Sequence, residues 1–90
     1  MLRVNLSRQA AKFIKKLSTN KHARQIATKI TELRKNPYPP DSIKLKGYSY
    51  YRTDNGEYRI VYQVQEEILE ILLIDKRNDD EVYKQLKRKY

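Results

Sequence analysis

Hydrophobic and polar residues alternate at the start of the chain and then change period. Leu2, Val4 and Leu6 are separated by polar residues, the period-two pattern that is typical of a short strand. From residue 8 to 35, apolar residues recur every three or four positions in two stretches, which the polar segment 18–20 separates. The pattern predicts a strand followed by two helices, and the short connection between the helices predicts an antiparallel hairpin.

Both predicted helices carry residues that are expected at helix ends. Ser7 is suited to cap the first helix with its hydroxyl, and the segment 18–20 offers N-cap residues for the second. Asn36 is predicted to end the second helix, because the ring of Pro37 disfavours helical geometry in the residue before it.

After the proline-rich stretch NPYPPDS the period returns to two. Residues 43–46 and 48–53 indicate one strand or two short ones, and Asp54-Asn55-Gly56 is a tight-turn signal because Asn and Gly tolerate positive φ. The next strand, 58–65, carries four alternating apolar residues that we expect to face the helices: Tyr58, Ile60, Tyr62 and Val64. The most apolar run of the chain, 68–75, predicts the last strand.

The C-terminal segment predicts a short final helix. Asn78 is its N-cap candidate, and the three acids at 79–81 fall in its first turn, where unpaired backbone N–H groups favour negative charge. Val82 and Leu86 lie four positions apart and form a packing stripe. Tyr83 is then about 100° further round the helix and is expected to be partly exposed.

Ninety residues suffice for one small domain with one hydrophobic core. We expect residues 1–90 to form a single α+β domain in the order β-α-α-β-β-β-α: a two-helix hairpin packed on one face of a small antiparallel sheet of three to four strands, and a short C-terminal helix. Cysteine is absent and His22 is the only histidine, so we expect no metal site and interpret His22 as a surface helix residue. No apolar run approaches the roughly 20 residues that cross a bilayer, and no signal-peptide pattern is present, which favours a cytoplasmic protein without membrane contact.

The charge of the chain is strongly positive and unevenly distributed. Twenty Lys and Arg residues against eleven acids give a net charge of +9, which favours a polyanionic partner: nucleic acid, an anionic membrane or an acidic protein. Residues 8–35 hold nine bases and one acid, so the helical hairpin alone carries +8. A solvated helical face is the ordinary interpretation of such charge, but a surplus this one-sided favours a surface that binds a polyanion.

Three arginines and a tyrosine in the second half are residue types that can cleave RNA without a metal. Arg59 lies on the strand face opposite the predicted core and Arg77 follows the last strand. If the sheet curls, we expect Arg52, Arg59, Arg77 and Tyr83 to converge on its helix-free face. RNA is cut when its own 2′-hydroxyl attacks the adjacent phosphorus; arginines match the phosphate oxygens, and a tyrosine can accept the proton. A plain RNA-binding surface uses the same residue types, so these residues alone do not establish catalysis.

Four motifs extend over nearly the whole chain: a basic helical hairpin that ends in NP, then KLKG, then YYRTDNGEYRIVYQV, then KRNDDEVY. In these motifs the chain resembles the RelE branch of the RelE/ParE toxins of prokaryotic toxin–antitoxin pairs. The resemblance implies a small antiparallel sheet with two helices on one face and a protein antitoxin as partner. We expect no nucleotide cofactor, because Gly47 and Gly56, the two glycines of the chain, are far apart and form no phosphate loop. The resemblance also implies a ribosome-dependent endoribonuclease, an mRNA interferase, that cuts mRNA in the ribosomal A site and inhibits translation.

The resemblance assigns a role to individual residues. Arg59 of GEYR matches the family's phosphate-binding arginine, and Arg77 and Tyr83 match the arginine and tyrosine of its KR-x4-VY pattern. Arg52 matches the first of two basic strand residues that lie two apart in the family. The second position is Asp54 here, and an acid at that place would repel the scissile phosphate.

Two other functions are compatible with parts of the sequence. A ParE-like toxin shares the fold but acts on DNA gyrase through protein contacts, and the joint presence of Arg59, Arg77 and Tyr83 argues against it. A non-catalytic basic nucleic-acid-binding module explains the charge but not the spacing of Arg77 and Tyr83. Lys44 and Lys46 are candidates to compensate for Asp54. We expect RNA and ribosome contacts from six lysines: Lys12, Lys15, Lys16, Lys29, Lys44 and Lys46.

Overall fold

The computed structural model describes residues 1–17, 20–78 and 81–90. In these ranges the elements follow one another as β1 (Arg3–Leu6), α1 (Arg8–Lys16), α2 (Asn20–Lys35), β2 (Ile43–Lys44), β3 (Tyr51–Asn55), β4 (Tyr58–Gln65), β5 (Ile68–Lys76) and α3 (Glu81–Lys89). The predicted α+β class is confirmed, and the segment 43–53 forms two short strands rather than one. None of the helices in the described ranges is long and apolar enough to cross a membrane.

The sheet is mixed, which corrects the prediction of an antiparallel sheet of three to four strands. Its five strands lie in the order β1-β5-β4-β3-β2, with antiparallel pairing from β2 to β5 and a parallel pair between β1 and β5. A parallel pair needs a long connection. Both helices of the hairpin and three strands separate β1 from β5, so the chain has the length to return to β1 in the parallel direction.

The cap of α1 follows the sequence prediction. The Ser7 hydroxyl oxygen accepts a hydrogen bond from the Ala10 N–H at 3.0 Å and donates one to the Leu72 carbonyl at 2.6 Å. One side chain therefore caps α1 and attaches it to β5. At the other end of the hairpin, α2 stops directly before Asn36, as predicted.

Four residues that were predicted at helix N-termini lie outside the described residues: Ser18, Thr19, Asp79 and Asp80. Within the described ranges, α2 begins at Asn20 and α3 begins at Glu81, while Asn78 lies in a turn before α3.

One face of the sheet carries the main hydrophobic core. Ile26, Ile30 and Leu33 of α2 and Ala10 of α1 are buried against the central strands. The prediction for β4 is confirmed, because its alternating apolar residues pack in this core. Tyr58, Ile60 and Tyr62 are buried, and Val64 is half-buried. The helical hairpin thus covers one face, as the sequence pattern indicated.

The opposite face is not free of helices, in contrast to the expectation. Val82 and Leu86 of α3 are buried against Val61 of β4 and against Leu72 and Leu73 of β5. The β4–β5 register shifts between Val61 and Tyr62, and a bulge of this kind lets two neighbouring residues of one strand face the same side. The bulge therefore supplies the apolar surface on which α3 rests, as the Val82 and Leu86 stripe predicted.

The tight turn between β3 and β4 lies further along the chain than the sequence signal suggested. Gly56 and Glu57 form the loop, Gly56 has a φ of +60°, and Asp54 and Asn55 belong to β3. Glycine adopts this left-handed backbone without steric cost. Because Asp54 is a strand residue, its side chain is directed to one face of the sheet, and the charged cluster described below depends on that direction.

Candidate active site

Arg59 lies at the centre of a charged cluster on the α3 face of the sheet. The strand registers place it between Asp54 of β3 and Asp75 of β5. Only 14% of its side chain is exposed. Arg59 Nη1 donates a hydrogen bond to the Tyr83 hydroxyl at 2.9 Å, and the guanidinium carbon lies 5.5 Å from the centre of the Tyr83 ring. A hydrogen bond and a cation–π contact therefore hold the tyrosine of α3 beside the arginine of β4.

Asp54 binds the same guanidinium from the other side. Arg59 Nε and Nη2 donate to its two carboxylate oxygens at 2.7 and 3.2 Å, which is the bidentate arrangement of an arginine–carboxylate pair. Arg77 Nη1 lies 3.7 Å and Arg52 Nη1 lies 3.9 Å from this carboxylate. Three arginines therefore surround one carboxylate.

The pKa values of the central pair follow from this geometry. The hydrogen bond from Arg59 lowers the pKa of the Asp54 carboxyl, the Arg52 and Arg77 cations add to the effect, and partial burial opposes it. The same hydrogen bond raises the pKa of Arg59. At neutral pH the cluster therefore holds three positive charges and one negative charge.

The structure brings together the four residues that the sequence analysis selected as catalytic candidates. Arg52 and Arg59 come from neighbouring strands, Arg77 follows β5, and Tyr83 comes from the first turn of α3. Val82 and Leu86 pack α3 against the sheet, and the contacts with Arg59 hold the Tyr83 side chain beside the cluster. The three arginines differ in side-chain exposure: 14% of the Arg59 side chain is exposed, 21% of that of Arg52 and 47% of that of Arg77.

Asp75 and Gln85 flank the cluster and were not selected from the sequence. Gln85 Nε2 donates to one Asp75 carboxylate oxygen at 2.8 Å, and the backbone N–H of Lys76 donates to the other at 2.8 Å. Both oxygens are thus engaged away from Arg59. Helical spacing could have indicated Gln85, because it lies three positions after Val82 and therefore on the same side of α3.

The arrangement is suited to bind a tetrahedral oxyanion beside a phenol. Arginine forks match the oxygens of a phosphate, and partial burial strengthens each interaction relative to open solvent. Within residues 1–17, 20–78 and 81–90, no three His, Cys, Asp or Glu side chains are grouped so that they could hold a metal ion.

Comparisons with known proteins identify the family of this chain. A family model described as the ParE toxin of the type II toxin–antitoxin system parDE matches residues 4–81. The RelE–RelB complex from the archaeon Pyrococcus horikoshii OT3 contains a chain that is 30% identical, with 84% of this chain and 94% of that chain covered and a TM-score of 0.74. This chain belongs to the RelE branch of the RelE/ParE toxin superfamily. It is a toxin of a type II toxin–antitoxin system.

Two further solved structures support the family assignment. A double-arginine mutant of the Escherichia coli toxin RelE in the free state is 26% identical, with 99% of this chain and 98% of that chain covered and a TM-score of 0.78. A chain of the heterotetrameric YoeB–YefM toxin–antitoxin complex from Staphylococcus aureus is 26% identical, with 81% and 93% covered and a TM-score of 0.67. No curated protein sequence matches the chain significantly.

In this RelE-branch toxin, two of the candidate RNA-binding lysines of α1, Lys12 and Lys16, line a basic groove. Lys12, Lys15 and Lys16 are exposed. A groove of about 340 Å³ is lined by four bases together with Gln9, Phe13 and Asp75; the bases are Arg8, Lys12, Lys16 and Lys89. Asp75, which lines the groove, is the cross-strand neighbour of Arg59.

Lys29 and Lys44 differ from the lysines of α1. Lys29 Nζ lies 2.7 Å from the Asp41 carboxylate and only 14% of its side chain is exposed, so it ties α2 to the proline-rich connection. Lys44 pairs with Tyr51, whose side chain packs in the main core, so Lys44 belongs to the face opposite Arg59 and is not placed to compensate for Asp54. Lys46 is exposed in the loop after β2.

His22 is more than the surface residue that the sequence suggested. It is half-buried, and its Nδ1 lies 2.9 Å from the Tyr58 hydroxyl in a hydrogen bond that joins α2 to β4. The two rings also make an edge contact, with centres 5.5 Å apart. The signal that sequence analysis overlooked was helical spacing, because His22 lies four positions before the buried Ile26.

Proposed function

We propose that this toxin is a ribosome-dependent endoribonuclease that cleaves mRNA and thereby inhibits translation. One observation carries the proposal: three arginines surround a single anion position, and the hydroxyl of Tyr83 lies within hydrogen-bond distance of the central arginine. A phosphodiester and its neighbouring 2′-hydroxyl need this combination of anion binding and a proton acceptor.

The proposed reaction uses the RNA's own nucleophile. Tyr83 passes its hydroxyl proton to solvent water and takes up the proton of the 2′-hydroxyl, the 2′-oxygen attacks the adjacent phosphorus in line, and the bond from phosphorus to the 5′-oxygen breaks. A 2′,3′-cyclic phosphate and a 5′-hydroxyl result, with the leaving oxygen protonated by solvent water. Arg59 and Arg77 bind the non-bridging oxygens and stabilise the charge that develops on them, while Arg52 binds the phosphate from the neighbouring strand.

The basic surface of α1 gives the proposed enzyme a means to bind ribosomal RNA. Lys12, Lys15 and Lys16 are exposed, and Lys12 and Lys16 line a groove that also includes Asp75, the cross-strand neighbour of Arg59. Phosphate contacts position a protein without selecting sequence. In the proposal these lysines, with Lys46 as a further contact, dock the toxin on the ribosome, and the arginine cluster receives the mRNA.

A cognate antitoxin protein is the proposed partner of the free toxin. The similar chains from Pyrococcus horikoshii and Staphylococcus aureus were solved in complexes with RelB and YefM antitoxins. A chain of net charge +9 suits an acidic or partly disordered partner that wraps a large surface. Action on ribosomes would place the toxin in the cytoplasm.

Inhibition of DNA gyrase is the second candidate, because the matching family model is described as a ParE toxin. Purified toxin should be added to ribosomes programmed with mRNA and, in parallel, to gyrase with supercoiled plasmid. We expect mRNA cleavage on ribosomes and unaffected gyrase. Gyrase inhibition with intact mRNA would favour the ParE-like function, and binding to RNA without either effect would favour a non-catalytic module.

A further inference from the structure

The anion position of the arginine cluster is filled by the protein's own carboxylate. The Arg59 fork binds both oxygens of Asp54 at 2.7 and 3.2 Å, in the geometry that it would use for two oxygens of a phosphate. Arg52 and Arg77 approach the same carboxylate at 3.9 and 3.7 Å. A phosphate bound by all three arginines would therefore overlap the place of the Asp54 side chain.

The strand register alone does not explain why Asp54 takes this place. Arg59 has two aspartates beside it across the sheet, Asp54 on one side and Asp75 on the other. Gln85 and the backbone N–H of Lys76 engage both oxygens of Asp75. Of these two aspartates, Arg59 binds Asp54, and its remaining group, Nη1, is directed to the Tyr83 hydroxyl.

The balance of charge leaves the cluster able to bind a second anion. Three guanidinium groups against one carboxylate leave a net charge of +2 around the position. Asp54 is also accessible, with 31% of its side chain exposed, and Arg77 is 47% exposed. The carboxylate can therefore turn toward solvent without unfolding β3.

We propose that Asp54 is an internal substitute for the substrate phosphate. In the free toxin its carboxylate fills the anion position and keeps Arg59 directed at Tyr83, and an incoming phosphate displaces it from Arg59. The identification of that phosphate with an RNA phosphodiester rests on the proposed function; the competition between Asp54 and an oxyanion does not. Asp54 thus positions Arg59 and lowers the affinity of the site for free anions.

Inorganic phosphate is the probe that tests the proposal without ribosomes or RNA. It is titrated into the full chain at constant ionic strength, while NMR follows the Arg59 Nε–H signal and the Asp54 carboxyl carbon. The variants are Asp54→Asn, which keeps an oxygen acceptor for Arg59, and Asp41→Asn as the matched control. Both substitutions remove one negative charge, but Asp41 binds Lys29 and Thr53, and the Thr53 side chain is buried on the other face.

We expect phosphate to bind at Arg59 about tenfold more tightly in Asp54→Asn than in the wild type, because a unit negative charge within a few ångströms of the anion is removed from a partly exposed site. Asp41→Asn should keep the wild-type affinity. In the wild type, the Asp54 and Arg59 signals should move with one midpoint. Equal affinity in the two variants, weaker binding in Asp54→Asn, or an Asp54 signal that stays fixed while Arg59 titrates would each overturn the proposal. If a variant folds poorly, the wild-type titration still tests whether phosphate displaces Asp54 from Arg59. That test does not depend on whether the toxin is a ribonuclease.

Discussion

The two faces of β4 differ sharply although their residues alternate along one strand. Ile60 and Tyr62 are completely buried beneath the helical hairpin, whereas Arg59 faces Asp54 and Tyr83 beneath the edge of α3. The first face carries apolar packing beneath the helical hairpin, and the second carries the charged cluster next to Val61, which is buried against α3. Neighbouring positions of one strand should therefore respond to mutation in opposite ways.

The two aspartate ion pairs extend this comparison. Asp41 and Asp54 each bind a base at 2.7 Å, and neighbouring groups lower the pKa of both. Asp41 has one cation and accepts a hydrogen bond from Thr53 at 2.8 Å, so it closes a structural link. Asp54 has three cations around it. The surplus of positive charge, and not the short ion pair, therefore distinguishes the candidate site from the structural link at Asp41.

The largest effect is expected from the hydroxyl of Tyr83. Tyr83→Phe keeps the ring and its contact with Arg59 but removes the proton acceptor, and loss of a general base typically slows a reaction by about 10²–10⁴. Single-turnover mRNA cleavage on programmed ribosomes measures this. Tyr48→Phe is the matched control, because Tyr48 packs against the same hydrophobic cluster without touching Arg59. A Tyr83→Phe rate near that of the control would reduce Tyr83 to a packing residue.

The opposite outcome is expected one position further along the strand. Ile60→Ala removes buried methyl groups from the helix-covered face and should lower the free energy of unfolding by about 2–5 kcal/mol. Cleavage per folded molecule should stay close to wild type. Urea unfolding followed by circular dichroism gives the stability, and activity is scaled to the folded fraction. A stable variant with lost activity would show that the two faces are not separable.

A smaller effect is expected from the exposed lysines of α1. Changing Lys12, Lys15 and Lys16 to Gln should flatten the dependence of log affinity for the ribosome on log salt by about 2, since each lost phosphate contact lowers the slope by roughly 0.7–0.9. Binding titrations at several salt concentrations measure the slope. Lys29→Gln is the control, because Lys29 is paired with Asp41 and should leave the slope nearly unchanged. An unaltered slope in the triple variant would show that the three lysines are solvated and do not contact ribosomal phosphates.

The smallest effect concerns the stability that the Asp54 pair adds. The folded state lowers the pKa of Asp54 below its unfolded value of about 3.9, so the stabilisation is fully present above about pH 4 and is lost as pH falls through the folded pKa. The difference in unfolding free energy between wild type and Asp54→Asn should be constant from pH 7 to 5 and then shrink. Urea unfolding at pH 7, 5 and 3 checks this, and a difference that grows on acidification would contradict it.

The parts of the fold that sequence predicted are those with a local cause. The Ser7 cap, the end of α2 before Pro37 and the packing of Tyr58, Ile60 and Tyr62 follow from neighbouring residues and from spacing. The parallel pair of β1 and β5 has no local signal, because a period-two pattern describes a strand but not its partner. The ion pair between Lys29 and Asp41 likewise joins segments that only the folded chain brings together.

The candidate site also contains a contact that the sequence did not predict. Spacing and motif selected Arg52, Arg59, Arg77 and Tyr83, but the partner of Arg59 was missed because Asp54 was assigned to the turn. With the loop at Gly56 and Glu57, the hairpin register pairs Asp54 directly with Arg59. The predicted turn was one or two residues too early in the chain. Asp54 was therefore expected to repel the phosphate, whereas in the structure it is the partner of Arg59.

Single-turnover cleavage at saturating ribosome concentration tests the central claim, that the arginine cluster acts on a phosphate, most directly. Arg59→Ala and Arg77→Ala each remove a donor that stabilises the developing charge, and we expect the cleavage rate to fall by about 10²–10³ while ribosome affinity changes only a few-fold. Arg24→Ala, an exposed arginine of α2, controls for the loss of positive charge. Cleavage by both cluster variants within a few-fold of wild type, with the fold intact, would contradict the account.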